Sequence, residues 1–322
     1  MLSRRHLRIK ALQALYAFYQ SDNDDLAQGE KQLLKSTDKL YELYIYQLSF
    51  LVKMVEFTAN RLEEAKKKFF PTEEDLSPNT RFIENKVIAQ IAENKDYSKW
   101  YRALKINWSE QGTLFHKGYH DIRANETWNA YMNAETNTYR QQKEAVIAVV
   151  REIMSSYDLL RQYYEDLSIY WSDEDYDTSL MMVIKTIKSY QEGWGPEVPL
   201  PSLYKTDPDD DDPLEDKQFM IKLFRATLLK DKQYESQIEK QVENWELERI
   251  AIMDMIIMKM ALAELVTFPS IPVKVTINEY IEISKTYSSV KSKFFVNGIL
   301  DKLVVKLKED GTIKKTGRGL IE

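Results

Sequence analysis

Residues 250–266, IAIMDMIIMKMALAELV, decide the fold. Apolar side chains fill nearly every position and leave no polar stripe at the helical period, which is the pattern of a helix wrapped by other helices. Asp254, Lys259 and Glu264 interrupt the run, so it falls short of the roughly 18 apolar residues that read as a membrane span, and a soluble protein is expected. Pro269 and Pro272 end the helix.

Outward from this stretch the pattern stays helical. Downstream, Ile277, Tyr280, Ile281 and Ile283 form one apolar face with Glu279 and Glu282 on the other, and a last helix from about Ser292 carries Phe294, Phe295, Val296, Ile299, Leu300, Leu303 and Leu307. Within it, Asn297-Gly298 reads as a place where two helices approach closely rather than as a hairpin turn. Upstream, Phe219, Leu223, Phe224, Thr227 and Leu228 predict an amphipathic helix, and residues 234–243 a polar one. Residues 193–213, with Gly193, Gly195, five prolines and the acidic run Asp209 to Asp212, read as a linker stiffened by proline and extended by charge repulsion. Before it, helices are predicted through Leu33 and Leu34, from Asp38 to Leu62, over 79–92 and 94–107, across 117–166, and over 175–190. Trp100, Tyr101 and Trp108 read as packing anchors.

Composition agrees with an all-α fold. Nine glycines in 322 residues are few for a strand-rich protein, and 43% apolar residues suffice for a sizeable core. With no cysteine, disulfides, thiolate metal sites and cysteine nucleophiles are excluded, and the cytoplasm is the expected compartment. No secretion signal is expected, because polar residues break the apolar stretch after the first arginines. A net charge of -6 argues against a general nucleic-acid coat, so any nucleic-acid contact should be local.

One local cluster stands out. In SRRHLRIKALQALYAFY, residues 3–19, Arg4, Arg5, Arg8 and Lys10 precede any acid. If Ser3 caps this helix, the cations crowd the end where the macrodipole disfavours positive charge by about 0.3–1 kcal/mol each. A cluster in that position points to an anionic partner, and a solvated helix start is the alternative. Guanidinium groups grip phosphate bidentately and stack on splayed bases, while His6 and Gln13 can reach base edges.

The opening RRHLRIKALQALY resembles the first helix of the NusB transcription antitermination factors. WELERIAIMDMIIMKMALAEL, IPVKVTINEYIEISKTY and SKFFVNGILDKL resemble their C-terminal half in consecutive order. The resemblance implies a NusB-like helical bundle that binds boxA, a short single-stranded element of nascent ribosomal RNA leaders. It does so with a small-subunit ribosomal protein of the NusE type, within an RNA polymerase antitermination complex. It implies no cofactor, metal or small-molecule substrate. By the same analogy Tyr16, Lys293 and Phe294 extend the RNA surface, core packing being the alternative for Phe294. Glu264, Glu279 and Glu282 would dock the basic ribosomal protein, or form a solvated acidic face.

A usual member is less than half this length. The expected organisation is therefore an N-terminal part of the core at 1–65, a helical insertion with its Pro/Asp-rich linker at 66–212, the C-terminal part of the core at 213–309, and a flexible tail at 310–322. Residues 41–65 and 217–234 both resemble the family's third helix. Rival readings are a helical interaction scaffold without RNA binding and an accessory domain of an RNA-modifying system. A methyltransferase would need a Gly-rich cofactor loop, and no such motif occurs. His116 and His120 are four apart, but Lys117 stands where a zinc-protease motif has glutamate. No catalytic constellation is expected.

Overall fold

The computed structural model describes residues 2–21, 24–204, 215–242 and 250–321. Among these residues there is no strand, and the chain is all-α. The helices are α1 (Arg4–Gln20), α2 (Leu26–Lys66), α3 (Glu73–Leu76), α4 (Lys86–Glu93), α5 (Lys95–Ala103), α6 (Gly112–Ala124), α7 (Glu126–Met132) and α8 (Tyr139–Ala148). They continue as α9 (Asp158–Leu167), α10 (Asp173–Ser189), α11 (Glu215–Leu229), α12 (Asp231–Glu239), α13 (Ile252–Thr267), α14 (Val273–Tyr287) and α15 (Ser292–Glu309). None of them is long and apolar enough to cross a membrane.

Two compact units emerge. One comprises Asp38–Leu203; the other, here the terminal unit, comprises Leu2–Thr37 and the described residues from Tyr204 onward. The expected boundaries at 65/66 and 212/213 therefore differ from the divisions at 37/38 and 203/204. Helix α2, expected as two helices, is observed as one and runs through the first of these divisions. Its polar stretch at 35–38 holds no proline or glycine, and the Ser36 and Thr37 hydroxyls bond back to the Leu33 carbonyl at 2.8 Å each, so the helix continues through it.

In the terminal unit, α13 is the central helix, packed against α1, α11, α12, α14 and α15. Every residue from Ile256 to Leu265 is buried, and each large apolar side chain so removed from water contributes roughly 1.5–3 kcal/mol. Helix α11 packs on both α1 and α13, whereas residues 41–65 fall in the other unit. The three charges of α13 are each met. Asp254 accepts from the Ser292 hydroxyl at 2.8 Å, Lys259 reaches Asp231 at 2.6 Å and Glu235 at 3.0 Å, and Glu264 binds Arg8. Gly298 is exposed and a Cβ there would meet nothing within 4 Å, so it does not serve the close helix approach expected of it.

The 38–203 unit is built around aromatic side chains. Phe50 stacks on Phe115 at 5.3 Å between centroids, and Trp108 lies against Phe50, Phe115, Tyr163 and Tyr164. The helix expected from Asn79 starts only at Lys86, where the Asn85 side chain accepts from the Val87 and Ile88 amides. The early part of the expected linker is packed rather than extended. Lys95 donates to the Pro196 carbonyl, Asn94 to that of Val198, the Leu200 amide donates to Asp96, and Leu200 and Leu203 are buried. Its Pro208 and Asp209–Asp212 portion lies outside the described residues.

Residues 310–322 were expected to form a flexible tail, and the described part returns to the core instead. The Lys315 ammonium donates to the Leu265 and Phe268 carbonyls, both at 3.0 Å, and the Thr316 amide donates to Pro269 at 3.0 Å. These are carbonyls at the end of α13, which need donors once the helix stops.

Candidate nucleic-acid interface

The start of α1 is set by Ser3, whose extended backbone and hydroxyl cap the helix. His6 completes the capping box: its amide donates to the Ser3 hydroxyl, and the Ser3 amide donates to His6 Nδ1 at 3.2 Å. His6, read from sequence as a base-edge contact, thus has one ring nitrogen engaged in holding the helix start.

The arginines divide by depth. Arg8 is 3% exposed and makes a bidentate pair with Glu264, Nε and Nη2 each 2.7 Å from a carboxylate oxygen. Glu264 is fully buried and also accepts from Thr276 Oγ1 at 2.9 Å and from the Tyr280 hydroxyl at 3.1 Å. Burial works against the Arg8 charge, but the hydrogen bonds and charge of Glu264 outweigh it and raise its pKa. Two sequence expectations are corrected here: Arg8 is not a surface RNA contact, and Glu264 is not a docking acid. A helix buried on all sides turns the Glu264 carboxylate inward, and the buried Arg8 guanidinium supplies the opposite charge there.

Arg5 is exposed at the surface and pairs bidentately with Glu279 at 2.8 and 2.9 Å. The hydrogen bond from Arg5 is the largest influence lowering the Glu279 pKa, with Arg8 at 3.6 Å adding to it. Arg4 reaches Asp216 at 3.3 Å and lies over the Phe219 ring, 5.1 Å from its centroid. These side chains rim an open pocket of about 730 Å³, walled by Ile271, Pro272, Val275 and Ile321 and also lined by Arg318.

The remaining candidates are more dispersed. Gln13 is half-buried and donates to the Tyr287 hydroxyl at 3.3 Å, while Tyr16 is 38% exposed. Phe294 is 73% exposed, which removes core packing as its role, and the Lys293 ammonium sits 4.9 Å from its ring centroid. None of these four lines the pocket. Glu282 is exposed and pairs with Lys285 on its own helix. Sequence reasoning missed Asp216, Phe219 and Arg318 as neighbours of the cluster. Lys217-Gln218-Phe219 gave only an apolar-periodic signal, and Arg318 lay in a segment read as a tail.

Fold and site define an all-helical protein that presents a cationic helix start, anchored through a buried ion pair to its central helix, beside an apolar-walled pocket. Residues 202–305 match the sequence model of the NusB family. Over 114 residues the chain is 44% identical to the transcription antitermination protein NusB of Salinibacter ruber, covering 35% of this chain and 71% of that protein. It is 42% identical over 106 residues to the protein of that name from Chloroherpeton thalassium, covering 33% and 50% of the two chains. With the one from Koribacter versatilis the identity is 39% over 91 residues, covering 28% and 62%. No solved structure matches significantly. The chain belongs to the NusB family.

Proposed function

We propose that this chain is a non-enzymatic transcription antitermination factor. In this reading it binds a boxA-type single-stranded element of nascent ribosomal RNA together with a small-subunit ribosomal protein of the NusE type. The observation that carries the reading is the exposed Arg5 and half-exposed Arg4 at a capped helix start whose position is fixed by the buried Arg8–Glu264 pair. A rigid presentation of guanidinium groups suits phosphate, which they grip bidentately. The names of the relatives support the antitermination role.

In this proposal Arg4 and Arg5 take phosphates, His6 and Gln13 meet base edges, and Tyr16, Lys293 and Phe294 extend the surface for stacking. Glu279 and Glu282 remain the acids offered to the ribosomal protein. The test is a fluorescence-anisotropy titration with labelled boxA-type RNA, with and without that protein. Tighter RNA binding in its presence is expected, and equal binding to an unrelated single strand would refute the boxA assignment.

Glu279 gives a sharper expectation, because Arg5 must share its guanidinium between this carboxylate and RNA. Glu279→Gln should strengthen RNA binding at low salt roughly 1.5- to fivefold, matching the ~0.2–1 kcal/mol of an exposed pair. It should weaken capture of the ribosomal protein. The same pair gives a pH dependence. With the Glu279 pKa lowered, the stability it contributes is present above the ordinary value of 4.5 and is lost as pH falls through the folded value. Urea melts of the unaltered chain and the Gln variant should therefore converge in acid.

A further inference from the structure

We propose that the C-terminal segment 315–321 belongs to the RNA site and that Arg318 is a phosphate-binding residue of it. This rests on the RNA-binding reading above and extends it beyond the family match, which ends at residue 305.

The segment is built into place. After α15, Gly311 takes a positive φ of 67° and the Thr312 and Ile313 amides both donate to the Leu307 carbonyl at 3.0 Å, turning the chain back. Lys315 and Thr316 then fasten it to the end of α13, and burial lowers the Lys315 pKa. Gly319 is buried against Pro269 so closely that a Cβ there would lie 1.9 Å from the Pro269 carbonyl oxygen. Only glycine fits that approach. The consequence is that Arg318 and Ile321 line the same pocket as Arg4 and Arg5.

Charge bookkeeping singles out Arg318. Of the pocket arginines, Arg4 meets Asp216, Arg5 meets Glu279 and Arg8 meets Glu264. Arg318 is exposed, and among the described residues no hydrogen bond or ion pair engages its guanidinium. An incoming phosphate would therefore gain a charge-assisted contact there without displacing a carboxylate. Ile271, Pro272, Val275 and Ile321 supply an apolar wall beside these cations, and a nucleotide has both faces to match: an anionic phosphate and a base with an apolar plane.

The test uses the full chain and a labelled single-stranded boxA-type RNA across a salt series. Arg318→Ala should weaken binding about three- to tenfold and lower the slope of log K against log salt by about 0.7, the value for one lost single-strand phosphate contact. Arg318→Lys should restore part of the affinity, keeping the charge without the fork. Gly319→Ala keeps Arg318 but expels the segment from Pro269, and should reproduce the loss. Thermal melts of the Arg318 variants should match the unaltered chain. If Arg5→Ala weakens RNA binding while Arg318→Ala and Gly319→Ala leave affinity and slope unchanged, the tail is not part of the site and the RNA reading stands. Loss of ribosomal-protein capture with RNA binding intact would make the tail a protein contact and overturn the proposal. If the unaltered chain binds no RNA, both readings fall.

Discussion

Arg8→Ala should destabilise the terminal unit by about 3–5 kcal/mol, the loss typical of removing one partner from a buried ion pair. The fully buried Glu264 would keep only the neutral donors Thr276 and Tyr280. A carboxylate desolvated to that degree must protonate, draw in water or unfold its surroundings. Arg8→Met combined with Glu264→Gln should recover most of the loss, because the charge is gone and an acceptor remains for both hydroxyls. Urea melts followed by circular dichroism provide the measurement, and a single-variant loss below about 1 kcal/mol would contradict the account. Any fall in RNA binding by Arg8→Ala would then reflect lost structure, which is why Arg8 is unsuitable as a test of RNA contact.

Trp108→Ala should cost about 3–5 kcal/mol in the 38–203 unit. The Trp108 side chain is 5% exposed, its indole N–H donates to Ser49 Oγ at 3.0 Å, and its ring meets Phe50, Phe115 and Tyr163 at 5.2–5.9 Å. Truncation opens a cavity in this cluster and removes the indole donor that the Ser49 hydroxyl accepts from. Hydrogen exchange should show protection lost across 38–203. Since every residue assigned to RNA lies in the terminal unit, RNA affinity of the folded variant should stay within about twofold, under 0.5 kcal/mol.

The all-α class was legible because 250–266 has a pattern that only a surrounded helix satisfies, and α13 fulfils it. The start of α1 was legible because Ser3 is a strong cap. Legibility failed where a local signal competed with packing. The polar stretch 35–38 looked like a break, yet backbone-directed hydroxyls carry the helix through it. The tail, with its glycines, looked loose, yet Gly319 permits a close approach to Pro269. Among the site residues, sequence placed Arg4 and Arg5 at a surface start but could not separate them from Arg8. All three are charges at helical spacing, and only the position of Glu264, 256 residues away, decides which one is drawn into the core. Glu264 shows the same limit from the other side: a carboxylate near the end of an apolar helix reads as surface until its partner is seen.

The central claim is that the exposed cations of the α1 start bind RNA while the buried pair only holds them in position. The most direct measurement is the salt dependence of boxA-type RNA affinity for the chain carrying Arg4→Ala and Arg5→Ala together, alongside the unaltered chain. The account predicts a folded variant with affinity at least about tenfold weaker at low salt and a slope reduced by about 1.4, as for two lost phosphate contacts. A folded variant with the affinity and slope of the unaltered chain would contradict it.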